Sequence, residues 1–438
     1  MVTYRVFLVA ILACTTQAKF FARPTAQAPL ISSVDADTIP ENYIVVFKKD
    51  APENALETHF GLLSSFIQTA NLQAVTGEPT PNEIRHVYKL PSVKGYAGRF
   101  QADVLERIRE AQEVAFIEHD SIVNVDAEEK GAPWGLARVS SRDKLSLRNF
   151  NRYIYDERAG EGVTAYVVDT GINIEHVDFE GRAIWGMTVP KNDQDIDGNG
   201  HGTHVAGTIG GKKYGVAKKV QLVAVKVLGT NGSGTMSDVV KGVEFTVEHH
   251  TKARTIAEKE GRVFKGSVAN MSLGGGKSRA LDLAVDAAVG EGVLYAVAAG
   301  NDNRDACSYS PAASELAITV GASTIRDERA YFSNFGKCVD VFAPGYNIES
   351  AWIGSKYATN TISGTSMATP HVAGLAAYVV SLQPNSTSPF FTGMLSPKQV
   401  KELILKTATP DAISDVKGSP NLLIYNNPPA DFTSHFRL

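Results

Sequence analysis

Hydrophobic residues follow two different patterns along the chain, and the change of pattern divides it. Between residues 41 and 125, short apolar runs are interleaved with two stretches of helical spacing. Residues 43–47, 86–90 and 96–100 read as strands. Residues 55–70 repeat Leu56, Phe60, Leu63 and Phe66 as one face of a helix does, and 102–112 place Val104, Leu105 and Ile108 on one side of a second. Residues 116–118 and 122–125 complete the set as further strands. Two helices on an antiparallel sheet make a small α+β unit of about 85 residues, large enough to fold alone.

From Gly162 the pattern changes. Buried-strand candidates at 163–168, 220–227, 267–271, 294–298 and 317–320 alternate with helical periodicity at 238–250 and 280–289. That alternation predicts an α/β fold whose mostly parallel sheet is covered on both faces. The join, residues 126–131, is charged and reads as a loop. Pro133-Trp134-Gly135-Leu136 then opens the second region.

The amino terminus has a third pattern. Arg5, the apolar run 6–13 and Thr16-Gln17-Ala18 read as a signal peptide over residues 1–18, too short to span a bilayer. No second stretch of membrane length follows, so a secreted, soluble product without a membrane partner is expected. A Pro/Ala/Ser-containing linker leads to about residue 40. The 438 residues leave room for two domains; 43% apolar and 21% charged residues describe an ordinary globular protein. A net charge of −4 with no basic run argues against a nucleic-acid partner. Of 3 cysteines, Cys14 lies in the leader, and Cys307 and Cys338 are too few to build a disulfide scaffold.

Three glycine-flanked elements carry candidate chemistry. Asp169 ends the run Val167-Val168 and precedes Thr170-Gly171, where sites collect in open α/β sheets. His201 emerges from Gly198-Asn199-Gly200 into the small-residue segment Gly202-Thr203-His204. Ser366 lies in Gly364-Thr365-Ser366-Met367-Ala368-Thr369-Pro370-His371, at the start of a small-residue helix over 368–380, where free N–H groups favour negative charge. Singly, each has an ordinary reading as a turn former, a helix cap and an N-cap. Together they supply a hydroxyl, an imidazole to take its proton and a carboxylate to orient the imidazole.

The order Asp169, His201, Ser366 and the segments around them resemble the subtilisin family. Pro133-Trp134-Gly135-Leu136-Ala137-Arg138, Tyr214-Gly215-Val216-Ala217 and Asn270-Met271-Ser272-Leu273-Gly274-Gly275 are similar more narrowly to its proteinase K group. The resemblance implies a three-layer subtilisin-like domain at 127–438 and a propeptide at 19–126 whose compact part inhibits the enzyme and assists its folding. It implies a serine endopeptidase made as an inactive precursor, with Ser366 as nucleophile, His201 as base and Asp169 as orienter. His204 would be structural, and the Asn301 amide with the Ser366 N–H would hold the tetrahedral oxygen. Substrate would lie as an added strand between Gly232-Ser233-Gly234 and Ser272-Leu273-Gly274. The wall Ala298-Ala299-Gly300 leaves room for an aromatic or aliphatic residue before the cut, and Met236 stands where relatives often carry an aromatic.

The same resemblance implies a Cys307–Cys338 bridge, a monomer, maturation near Asp126–Ala127, and structural calcium on Glu315, Ala317 and Asp340. A second, weaker calcium site would use Asp411, but its partner position holds Arg142, so it is not expected. Asp193, Asp195 and Asp197 imitate a calcium loop, yet its twelfth position is His204, and they read as a solvated acidic loop. Neither HExxH nor GxSxG occurs, and Met271 breaks the phosphate-loop pattern before Lys277-Ser278. Asn385 is the expected glycosylation site; Asn231 and Asn270 also match the motif. The alternative is a catalytically silent binding protein of the same fold.

Overall fold

The computed structural model describes residues 27–31, 38–52, 54–73, 81–89, 94–121, 126–383 and 393–428. The expected signal peptide, the strand at 122–125 and Asn385 lie outside these. The chain forms two compact units, Met1–Ile122 and Val123–Leu438.

In the first unit, strands Thr38–Phe47, Glu83–Lys89, Lys94–Arg99 and Val114–Ser121 pair antiparallel, and the short Leu30–Ile31 adds in parallel at one edge. Helices Ala55–Gln73 and Ala102–Arg109 cover one face. The predicted apolar side of the second helix, Val104, Leu105 and Ile108, is buried with Leu56, Leu63, Tyr96 and Ile117. Each such side chain contributes roughly 1.5–3 kcal/mol when fully buried.

The second unit is built on a nine-stranded sheet. Seven of its parallel members are β1 (Val163–Asp169), β2 (Ala183–Thr188), β3 (Gln221–Lys226), β4 (Gly266–Met271), β5 (Val293–Ala298), β6 (Ile318–Ser323) and β7 (Val341–Pro344). The helices are α1 (His201–Gly210), α2 (Met236–Glu260), α3 (Arg279–Gly290), α4 (Thr365–Ser381) and α5 (Pro397–Thr407). Strand order runs β7-β6-β5-β4-β1-β3-β2, so the chain reverses direction across the sheet beside β1. Period-two alternation is visible in β1. Ala165 and Val167 join the core beneath α1 and α4, while Tyr166 and Val168 join the one beneath α2 and α3. Both faces are therefore buried, as the near-continuous apolar runs predict.

The helices α1 and α4 approach closely because they present little bulk. A Cβ on Gly374 would stand 2.9 Å from the Ile209 carbonyl oxygen and 2.8 Å from Val216 Cβ. Cys307 and Cys338 form the expected disulfide across 31 residues, worth about 3–4 kcal/mol in the chain-entropy account.

Three expectations need correction. Helix α2 continues to Glu260, ten residues past the predicted end, and stops only at left-handed Gly261. The residues read as a loop after 125 form a strand, Asp126–Lys130, paired antiparallel with Arg152–Asp156. Its Glu129 turns inward to the Lys218 ammonium at 2.7 Å, which itself lies over the Tyr153 and Tyr155 rings. Burial raises the Glu129 carboxyl pKa, although Lys218 opposes the shift. A strand whose buried positions are ionic leaves no apolar alternation to read. Helix α4 begins at Thr365 rather than 368, which puts Ser366 inside its first turn.

Candidate active site

Asp169 closes β1 and is fully buried. Its Oδ1 accepts from the Thr170 N–H at 2.8 Å and faces His201 Nδ1 at 2.8 Å. His201 opens α1 after Gly200, whose φ of 98° is left-handed. The next residue must be glycine too, since a Cβ on Gly202 would stand 2.1 Å from the Gly171 carbonyl oxygen. Thus the glycines bring the start of α1 against the end of β1.

A buried carboxylate fixes that junction. Asp197 Oδ1 accepts from the Thr170 hydroxyl (2.9 Å), the Asn199 N–H (3.0 Å) and the Gly200 N–H (2.9 Å). Its Oδ2 accepts from the Thr203 N–H (2.9 Å) and hydroxyl (2.6 Å). The solvated acidic loop expected at Asp193, Asp195 and Asp197 is therefore wrong at Asp197, which is 8% exposed and consumed by five donors. Asp193 is engaged as well. Lys226, fully buried and in register with Asp169, lies 3.3 Å from Asp193 Oδ2 and donates to the Thr170 carbonyl at 2.9 Å.

Burial alone would lower the His201 pKa; the charge and hydrogen bond of Asp169, aided by Asp197, outweigh it and raise it above 6.5. His204, one turn on, is buried with Nε2 on the Ile348 carbonyl, and burial pushes it down to about 4. It stays neutral.

Ser366 occupies the second position of α4. Thr365 donates from its N–H and its hydroxyl to Asn301 Oδ1, at 2.8 and 2.9 Å. Gly364's carbonyl takes the Met367 and Ala368 N–H groups. The Ser366 N–H has no acceptor among the described residues. Because Asn301 Oδ1 is occupied by two donors, the orientation of its amide is settled and Nδ2 is the free end. The two free nitrogens lie close to one point. A single point, where a Cβ on Gly364 would lie, is 3.5 Å from Ser366 N and 3.7 Å from Asn301 Nδ2. Buried Asn334 holds the loop behind Asn301, donating to Ala299 O at 2.9 Å and accepting from the Asp302 and Arg304 N–H groups. Ser366 Oγ donates to Ser272 O at 3.2 Å, while Ser272 Oγ donates back to Ser366 O at 2.7 Å.

Two adjoining clefts meet at Leu273 and Gly274. One, of about 390 Å³, is lined by His201, Gly232, Ser233, Gly234, Met236 and Ser272 among others. The second, of about 340 Å³, is lined by Ala298, Ala299, Gly300, Asn301, Thr365 and Ser366. All nine expected substrate-edge residues line one or other cleft. Among the described residues, Asp302 is the only charged one lining the second cleft, and neither Lys nor Arg lines either.

Two of the expected calcium ligands, Ala317 and Asp340, meet at a side-chain cation. The Lys401 ammonium donates to Ala317 O at 2.6 Å and to Asp340 Oδ2 at 3.0 Å. Asp340 Oδ2 also accepts from the Thr319 N–H at 2.8 Å. With Glu315 and Ala317 expected to contribute backbone carbonyls, Asp340 would supply the charged ligand, and its carboxylate is already paired with Lys401. The Glu315–Ala317–Asp340 set thus fits a monovalent ammonium better than a divalent ion that needs 6–8 oxygens. Asn270 is fully buried, which removes it as a glycosylation site.

Asp197, Lys226, Ser272 and Asn334 were missed as supports of the site. Asp197 had a faint signal, a carboxylate one glycine from the candidate histidine loop. The others are single polar residues in apolar or loop sequence, visible only once the strands are aligned.

Comparison with known proteins bears on this geometry. The subtilase family model matches residues 160–423, and the peptidase inhibitor I9 model matches 42–126. The subtilisin-like serine protease Pen c 2 of Penicillium citrinum is 57% identical over 91% of this chain and 90% of its own. Subtilisin-like protease 8 of Trichophyton verrucosum is 55% identical over 92% of this chain and 85% of its own. A solved structure, a cold-adapted subtilisin-like serine proteinase, superposes with a TM-score of 0.59 at 46% identity, covering 68% of this chain and 99% of that one.

Since a base must be neutral to accept a proton, kcat/KM should rise with pH through an apparent pKa above the ordinary 6.5 of histidine. Asp169→Asn removes the interaction that raises it, so the acid limb should move to lower pH while kcat falls about 10⁴-fold. A pH–rate profile of both proteins checks this. An acid limb at the same pH in both would contradict the assignment of Asp169 as the partner of His201.

Proposed function

The chain belongs to the subtilase family of serine endopeptidases, and we propose that it cuts extended polypeptides with broad specificity through Ser366, His201, Asp169 and Asn301. Ser366 Oγ attacks the scissile carbonyl carbon as its proton passes to His201 Nε2. The tetrahedral oxygen lies between Asn301 Nδ2 and the Ser366 N–H. The imidazolium, held by Asp169, returns the proton to the leaving amine, and water repeats the sequence to release the acyl group. Each oxyanion donor is worth about 3–4 kcal/mol of transition-state stabilisation. The observation that carries the reading is that two unclaimed nitrogens, Ser366 N and Asn301 Nδ2, lie close to one point beside Gly364. At rest Ser366 Oγ points to Ser272 O, so the attack requires its rotamer to turn toward His201.

Substrate binds by backbone pairing with Gly232-Ser233-Gly234 and Ser272-Leu273-Gly274, which reads any sequence. The side chain before the cut enters the cleft walled by Ala298, Ala299 and Gly300, which favours aromatic and aliphatic residues. The precursor carries an I9 inhibitor unit ahead of the peptidase domain, and that unit restrains the enzyme until it is cut away. Release falls near Asp126–Ala127, at the start of the strand Asp126–Lys130. The product is secreted and works as a monomer, without membrane or nucleic-acid partners. Among the described residues no helix is long and apolar enough to cross a membrane. Subtilases as a family bind calcium; here the geometry at Glu315, Ala317 and Asp340 favours a different cation, taken up below.

Profiling cleavage of a peptide library should give a preference for aromatic or aliphatic residues before the cut, with little selection elsewhere. A dominant preference for Lys or Arg would refute the assignment of the cleft. Amino-terminal sequencing of the active secreted enzyme should begin within a few residues of Ala127. Active protein that retains residues 40–127 uncut would contradict the precursor scheme.

A further inference from the structure

We propose that the resident cation at Ala317 and Asp340, two of the three positions where the resemblance implies calcium, is the ammonium of Lys401, so that this enzyme stabilises the region without calcium. Lys401 lies in α5, a helix fixed at its start by a capping box between Ser396 and Gln399. Its Nζ donates to Ala317 O at 2.6 Å and to Asp340 Oδ2 at 3.0 Å, at two of the three protein ligands implied by the resemblance. Asp340 is held for this contact from the other side. Its Oδ2 accepts the Thr319 N–H at 2.8 Å, and its own N–H donates to Thr319 O at 2.9 Å. The contact therefore ties α5 to the approach to β6 and to the loop before β7, as a bound cation would.

Electrostatics favours the ammonium as occupant. By the resemblance Glu315 and Ala317 would each offer a neutral backbone carbonyl oxygen, so the attraction for a divalent ion at that set would rest on Asp340. An ammonium 3.0 Å from that carboxylate neutralises it and repels a second cation. A tethered cation also pays no entropy of capture from solution. The other end of α5 is treated alike. Arg142 Nη1 donates to Thr407 O at 2.8 Å and Ala408 O at 3.3 Å, where the helix dipole favours positive charge, and its guanidinium stacks 4.0 Å above the Tyr425 ring. Arg142 is the residue whose place at the partner position of Asp411 made a second calcium site unexpected. Side-chain cations are thus engaged at both ends of this region, one on α5 and one against its end.

The test uses the full chain carrying Ser366→Ala, so that autolysis does not intrude and the outcome is independent of the catalytic assignment. Thermal midpoints of the peptidase unit are measured in chelator and in millimolar calcium. With Lys401 present, the part of any calcium effect that Asp340→Asn abolishes should be nil. Lys401→Ala should lower the midpoint in chelator by on the order of 3 °C, and calcium should restore most of it. Restoration should vanish in the Lys401→Ala, Asp340→Asn double variant. Should Lys401→Ala not fold, Lys401→Met keeps the aliphatic stem and is read the same way. The proposal is overturned if calcium stabilises the Lys401 chain through Asp340. It is equally overturned if Lys401 substitution leaves the midpoint unchanged, or lowers it without any Asp340-dependent recovery.

Discussion

The hydrogen bond between the fully buried Asp169 carboxylate and His201 Nδ1 is the constraint around which the peptidase unit is arranged. A carboxylate without water needs donors, and a charge in low dielectric is held only where the geometry is rigid. The chain meets this by ending a central strand at Asp169 and starting a helix at His201. It then locks the two with Asp197, whose oxygens take donors from both segments. Lys226, in register beside Asp169, anchors the Thr170 carbonyl and balances local negative charge. Because Asp169 is in place, the imidazole gains affinity for a proton despite burial, which is what a general base requires.

The nucleophile is positioned by a separate device that leads to the same place. The first turn of α4 has N–H groups to satisfy, and the side chain of Asn301 takes one while Gly364 takes two. The remaining N–H, that of Ser366, faces the same space as the free end of Asn301. Helix packing makes this possible: Gly374 of α4 lies directly against Ile209 of α1, so His201 and Ser366 can start neighbouring helices. Bulk at Gly202 or Gly374 would displace one of the two helix starts. The interlocked Ser272 and Ser366 contacts then hold the end of β4, one substrate edge, against the nucleophile.

Much of this was legible in the sequence, and the physical reason is burial. The parallel strands are apolar on both sides, so they stand out as unbroken runs, and the glycine-flanked Asp169, His201 and Ser366 mark the ends where such runs stop. Relative position along the chain could not reveal that Asn301 Oδ1 is claimed by Thr365, which is what frees its amide. The strand Asp126–Lys130 was invisible because its inward residue is an ion-paired Glu129 rather than an apolar one. Asp197 was misread for a related reason, since three alternating aspartates look alike in sequence while only Asp197 is buried. The Lys401 contact escaped because it joins residues 84 and 61 positions apart, and nothing local marks either partner.

The peptidase unit therefore holds its site with internal charges: Asp197 and Lys226 beneath the proposed triad, and Lys401 and Arg142 at the helix that follows it. The claim on which the rest depends is that Ser366 is a nucleophile activated by His201. Treatment with a serine-directed organophosphate, followed by mass mapping of the label, tests it most directly. The account predicts one label per active chain, on Ser366, and loss of rapid labelling in His201→Ala. An enzyme that hydrolyses peptide yet takes no label, or carries it on another residue, would contradict the account.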